Sequence, residues 1–213
     1  NTSAGNGGGV RGITTMTAGK ITKNTSNSNG GGVYGNITMT GGSIVENKSK
    51  GNGGGIYMDT SATLGGSAIV SGNLKGETAN NFFVGADKTI AISDSSAPTE
   101  DMNIGITTAV LPEISSPVAI TSNGSDDDVD HFISDSPSYY VLYQDSILKL
   151  VKDANPTGEI VFEENSFTSF LSSITFDLFF MDKFDVVINA ADDIAVKTVE
   201  YYISDHQLTA EEV

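Results

Sequence analysis

The sequence predicts an all-β chain, with a parallel β-helix over residues 1–152 followed by a second β-rich segment over 153–213. Three observations carry that prediction. Asn-Gly-Gly-Gly-Val/Ile recurs at 6–10, 29–33 and 52–56, each copy 23 residues after the last. The apolar pieces inside each repeat are only two to four residues long, too short for helices and suited to brief strands. After Asp153-Ala154-Asn155-Pro156-Thr157-Gly158 the texture changes, as Gly and Asn become scarce and aromatic residues gather in longer runs.

The first repeat spans 6–28, the second 29–51 and the third 52–75. Superposing the first two gives thirteen identities in 23 positions, including Met16/Met39, Ile21/Ile44 and Asn24/Asn47. The third runs through Gly65-Gly66-Ser67-Ala68-Ile69, with about one residue inserted, to Asn73. Gly triplets and β-branched residues exclude a helical solenoid. A leucine-rich repeat needs a Leu ladder, and residues 1–75 hold only Leu64 and Leu74. What remains is a coil of short strands in which equivalent residues stack about 4.8 Å apart. Val10, Val33 and Ile56 then fall inside one sheet, Ile21, Ile44 and Ile69 inside another, and Met16 and Met39 inside a third. Asn24, Asn47 and Asn73 sit where inward-turned amides can bond backbone groups at a corner, and the Gly triplets permit the positive φ of such corners.

Gly-x-Ile-x-x-Asn followed by Gly-Gly-Gly-Ile/Val-Tyr resembles the β-helical repeats of bacterial surface proteins. Chlamydial polymorphic membrane proteins and cell-wall proteins of Gram-positive gut bacteria carry such repeats. The resemblance implies a right-handed coil, degenerate rungs after the regular repeats, and then Ig-like modules. Asn81–Val84, Thr89–Ile92, Met102–Thr107, Val118–Thr121 and Phe132–Asp135 resemble such rungs, with Tyr139–Leu142 and Leu148–Leu150 closing the series. At 23 residues per coil this makes about six coils.

In the second segment Ile160–Phe162, Ile174–Phe180, Phe184–Ile188 and Val196–Ile203 read as strands between Asp- and Ser-containing turns. Ile-Thr-Phe-x-Leu-Phe-Phe, then Val-x-Ile-x-Ala-x-Asp, then Val-Glu-Tyr-Tyr-Ile-Ser-Asp resembles the Ig-like modules of the same surface proteins, although Ile194-Ala195 stands where they place Ser-Gly. An Ig sandwich takes about 100 residues. Residues 153–213 are therefore expected to be a truncated module, continued by further Ig-like modules in a longer chain.

Charge narrows the partners. The net charge is −16, yet residues 1–75 carry six basic and two acidic residues, a net +4, so the acidity belongs to the remainder. That balance argues against nucleic acid and anionic membranes. No run of eighteen apolar residues suggests membrane insertion, and the lack of Cys excludes disulfides and thiolate metal sites.

Candidate chemistry is sparse. Arg11, Tyr34 and Tyr57 each follow the inward Val or Ile of their repeat, so strand alternation turns all three outward in a ladder. Such a ladder can bind sugar rings or a protein partner; more plainly, it covers the sheet. Asp126, Asp127, Asp128 and Asp130 form the densest acid run, a weak candidate for a divalent cation. The run lacks the Gly and the distal Glu of an EF-hand, and a solvated loop is the plainer account. A β-helical lyase or glycoside hydrolase needs paired carboxylates or an acid cluster with a base, whereas the repeats offer only Glu46 and Asp59. No catalytic residue and no cofactor are expected.

The favoured expectation is a non-catalytic, adhesin-like extracellular protein of a bacterial cell surface, anchored to the wall as the resemblance implies. Its partner would be a host glycan, a glycoprotein or an immunoglobulin. The alternatives are a carbohydrate-active enzyme of β-helix fold and a trimeric fibre.

Overall fold

The structure, a computed structural model, describes residues 1–153 together with the backbone of 157–163 and 185–191. The chain divides into two compact units, Asn1–Asp153 and Ala154–Val213.

The first unit is a parallel β-solenoid of about five turns. Its opening coil holds β1 (Thr2–Ser3), β2 (Val10–Arg11), β3 (Thr14–Met16) and β4 (Lys20–Thr22). The second adds β5 (Thr25–Ser26), β6 (Val33–Met39) and β7 (Ser43–Val45), and the third β8 (Lys48–Ser49), β9 (Ile56–Leu64) and β10 (Ile69–Ser71). β11 (Leu74–Lys75) begins the fourth, and β12 (Thr78–Ala79) folds back against it. β2 and β3 pair in parallel with β6, and β6 with β9; β4, β7 and β10 form a second stack. β1, β5, β8 and β11 make the third face.

The Gly triplets do two jobs. Gly7, Gly30 and Gly53 turn the chain with φ of 75°, 67° and 69°, a region that side chains rarely adopt. The middle glycines need bareness for a different reason: a Cβ on Gly31 would collide with the carbonyls of Gly54 and Lys48 in the next coil.

Inward residues form continuous columns. Val10, Val33, Ile56 and Phe82 are Cα partners in one of them, and from Val33 onward they are fully buried. Burying each such side chain contributes roughly 1.5–3 kcal/mol of transfer free energy. Met16 and Met39 do stack, but Val33 and Met39 lie at the two ends of β6 rather than in separate sheets.

Another column needs correcting: Ile21 and Ile44 are continued by Val70, while Ile69 pairs with Ser43 and is half-exposed. Three residues, not one, are inserted in the third coil. The partner register jumps from Gly35↔Met58 to Ile37↔Ala62, and then reaches Ser43↔Ile69. Sliding one position exchanges the inner and outer faces of a strand, so Val70 takes the core place.

The later rungs are in part as expected. β13 (Phe82–Val84) and β14 (Ile90–Ile92) both stack in parallel on β9. β15 (Asn103–Thr108) pairs with β10 through its first half and β13 through its second. β16 (Val118–Ala119) precedes a 3₁₀ helix over Asp126–His131, and β17 (Phe132–Ser134) lies parallel on β15.

Tyr139–Leu142 and Leu148–Leu150 are not rungs. They belong to β18 (Tyr139–Gln144) and β19 (Ile147–Lys152), an antiparallel hairpin joined on its other side by β16. Leu148 and Leu150 enter the same core cluster as Ile92 and Ile120, so the hairpin covers that end of the core.

In the second unit β20 (Thr157–Glu163) and β21 (Asp185–Ala191) pair antiparallel. The strands expected over 174–180 and 196–203, and the Ig-like reading of the segment, lie otherwise outside the described residues.

Candidate functional site

The three outward residues come together as the repeat requires. Arg11 is the Cα partner of Tyr34, Tyr34 of Tyr57, and Tyr57 of Phe83. The Tyr34 and Tyr57 rings stand 5.1 Å apart and 11° from parallel; Tyr57 and Phe83 stand 5.5 Å apart and 16° from parallel. Coplanar rings cannot approach so closely, so each ring overlaps the face of its neighbour in an offset stack. The outward surface of the column therefore consists of ring edges and the Tyr face turned toward the first coil. Arg11, the Cα partner of Tyr34 on the first coil, is exposed and makes no ion pair or side-chain hydrogen bond among the described residues. Sequence reasoning missed Phe83, although aligning Asn81-Phe82-Phe83 on Gly55-Ile56-Tyr57 would have found it.

Phe83 is buried, and its partner in the next rung is Thr107. There a cavity of about 460 Å³ opens, its lining made of the polar Lys75, Thr107, Asp135 and Tyr139 and the apolar Leu111 and Leu150, among others. Asp135 is held firmly: it accepts hydrogen bonds from the backbone N–H of Asn81 at 2.7 Å, the Asn81 amide at 2.5 Å and the Thr107 hydroxyl at 2.6 Å. Lys75 donates to Asn52 at 2.7 Å.

Asp135 also ends the asparagine ladder. Asn24 donates its amide to Asn47, Asn47 to Asn73 and Asn73 to Asn81, each at 3.0 Å, and Asn81 passes the chain to the carboxylate. The expected ladder of Asn24, Asn47 and Asn73 thus gains Asn1 at one end and Asn81 and Asp135 at the other. All the amides point the same way, so a charged acceptor finishes a polarised series.

The acid run has a local role. Asp128 turns inward to accept the backbone N–H and hydroxyl of Ser125, both at 2.8 Å, capping the 3₁₀ helix, while Asp126, Asp127 and Asp130 face solvent. Among the described residues no three His, Asp or Glu side chains are grouped to hold a metal ion. His131 lies beside the Met102 carbonyl at 3.4 Å. No helix of the described residues is long and apolar enough to cross a membrane. Compared with protein-family models, curated proteins and solved structures, the chain finds no match in any of the three.

Proposed function

We propose that the protein is a non-catalytic extracellular binding protein of a bacterial surface, its right-handed solenoid presenting one face to a host glycan or glycoprotein. On this reading residues 153–213 begin an Ig-like spacer toward a wall anchor. The observation that carries it is the face itself. Arg11, Tyr34, Tyr57, Phe83 and Thr107 lie in register on successive coils, with a guanidinium that makes no ion pair or side-chain hydrogen bond among the described residues and a cavity at the far end. The resemblance of the Gly-Gly-Gly-Ile/Val-Tyr repeat to bacterial surface proteins points the same way.

Binding rather than hydrolysis is favoured by the cavity lining. Glycosidic cleavage uses two carboxylates on either side of the bond, and Asp135 is the one acid among the residues that line this cavity. The test is a screen of the whole chain against immobilised host glycans and serum glycoproteins, with released reducing ends assayed in parallel. Saturable binding without turnover is the expected result, and turnover or a blank screen defeats the reading. Tyr34→Ala and Tyr57→Ala then locate the contact: a hit that both weaken uses the ladder, and one that neither weakens does not.

A further inference from the structure

We infer that the cavity at Asp135 is the sugar subsite, and that its ligand is a neutral pyranose; the inference rests on the glycan-binding reading above. The volume of about 460 Å³ lies in the range of small-ligand sites, about 300–1,000 Å³. Its lining offers what a pyranose needs: hydroxyl, carboxylate and ammonium groups for the ring's hydroxyls, and Leu111, Leu150 and the Tyr139 ring for its C–H face.

Asp135 is the orienting acceptor. A carboxylate has about four lone-pair positions. Among the described residues two on Oδ2 are taken by Asn81 and Thr107 and one on Oδ1 by Asn81, which leaves one on Oδ1. The three bonds in place fix the group before a ligand arrives, so little side-chain entropy is lost on binding. Lys75 spends one of its three N–H groups on Asn52 and, among the described residues, retains two. One acid and one base in the lining balance, which favours an uncharged ligand over an acidic sugar. The aromatic column is less suited to this task, because its inner ring faces already cover one another.

The experiment is an NMR titration of the isotope-labelled full chain with galactose, mannose, N-acetylglucosamine and N-acetylgalactosamine, and with N-acetylneuraminic acid as the acidic comparator. At least one neutral sugar is expected to shift the amides of Thr107, Asp135, Ser136 and Tyr139 together. Leu111→Trp fills the cavity mouth from an exposed loop position, 63% accessible, and is expected to weaken that binding at least tenfold while the melting temperature holds. Tyr34→Ala is expected to leave it unchanged. Shifts centred on Arg11, Tyr34 and Tyr57 would overturn the subsite and leave the glycan reading standing. A stronger response to the acidic sugar would overturn the ligand class. No localised shift, alongside a glycoprotein hit in the screen, would sink the subsite alone; no shift and no hit would sink both.

Discussion

Asn47 directs two donors, its side-chain amide and its backbone N–H, at the single side-chain oxygen of Asn73, each at 3.0 Å. Asn47 is fully buried, and its amide also reaches the carbonyls of Ile21 at 2.9 Å and Val45 at 3.0 Å. Its own oxygen takes both donors of Asn24. Every polar atom of the side chain is therefore satisfied inside the corner.

Removing that side chain strands its partners in a dry place. Asn47→Leu is expected to cost about 3 kcal/mol or more, because several buried donors and acceptors lose their partners at once and each costs about 1–3 kcal/mol. Asn24→Leu should cost less, since its partner on the first coil is the exposed Asn1. Urea unfolding of the two variants checks the order, and a smaller loss at Asn47 than at Asn24 would refute the ladder's role in holding the corner.

The aromatic column predicts a coupling rather than two independent losses. Tyr57 is covered by a ring on both sides, Tyr34 on one. Tyr57→Ala is expected to destabilise by about 2–3 kcal/mol and Tyr34→Ala by about half that, after the burial each ring contributes. A double-mutant cycle between Tyr57 and Phe83 should return a coupling of about 1 kcal/mol. A coupling near zero would mean that the rings are neighbours by register alone.

How far these features were legible in the sequence follows from what each leaves behind. A strict 23-residue spacing placed Val10, Val33 and Ile56 in one column and Arg11, Tyr34 and Tyr57 in another, because the steps between these coils are equal in length. The exposed Asp59-Thr60-Ser61 bulge adds two residues, which leaves the alternation of faces intact, and a third is added between Leu64 and Ile69. That single residue moves Ile69 off Ile44, and because Ile69 and Val70 are both apolar the shift to Val70 has no trace in the apolar pattern.

Strand direction failed at the hairpin for a related reason. Alternation sets which face a residue occupies, and that is the same in parallel and antiparallel pairing. The turn at Asp145-Ser146 has φ of 55° and 63°, the conformation of a tight hairpin, yet it lacks the glycine that marks such a turn. The cavity was illegible altogether, since segments around residues 75, 107, 135 and 150 meet only once the coils are stacked.

Glycine substitution separates close approach from turn geometry. Gly31→Ala puts a methyl group against the carbonyls of Gly54 and Lys48, both backbone atoms of the next coil, which cannot give way without opening the stack. A loss of about 2 kcal/mol or more is expected, in the range of overpacked cores. Gly5→Ala meets nothing within 4 Å and should change stability by less than about 0.5 kcal/mol. Thermal or urea unfolding reads both, and a neutral Gly31→Ala would mean that the coils are less tightly stacked than the structure has them.

The loop over 109–117, which carries Leu111 to the cavity, is tied to β19 by an ion pair whose titration can be followed directly. Lys152 donates to Glu113 at 2.9 Å, and that hydrogen bond together with the carboxylate's charge raises the Lys152 pKa above its ordinary 10.5. A raised lysine pKa means that the folded state holds the proton more tightly than the unfolded one. The contribution is thus fully present below about pH 10.5 and is lost as pH climbs through the raised value. Both side chains are substantially exposed, so salt should weaken the effect. NMR titration of the Lys152 ε-methylene is expected to give a midpoint above 10.5 that Glu113→Gln returns toward it and 1 M salt partly returns. A midpoint that ignores Glu113→Gln would show that the loop is held at this strand by something other than the pair.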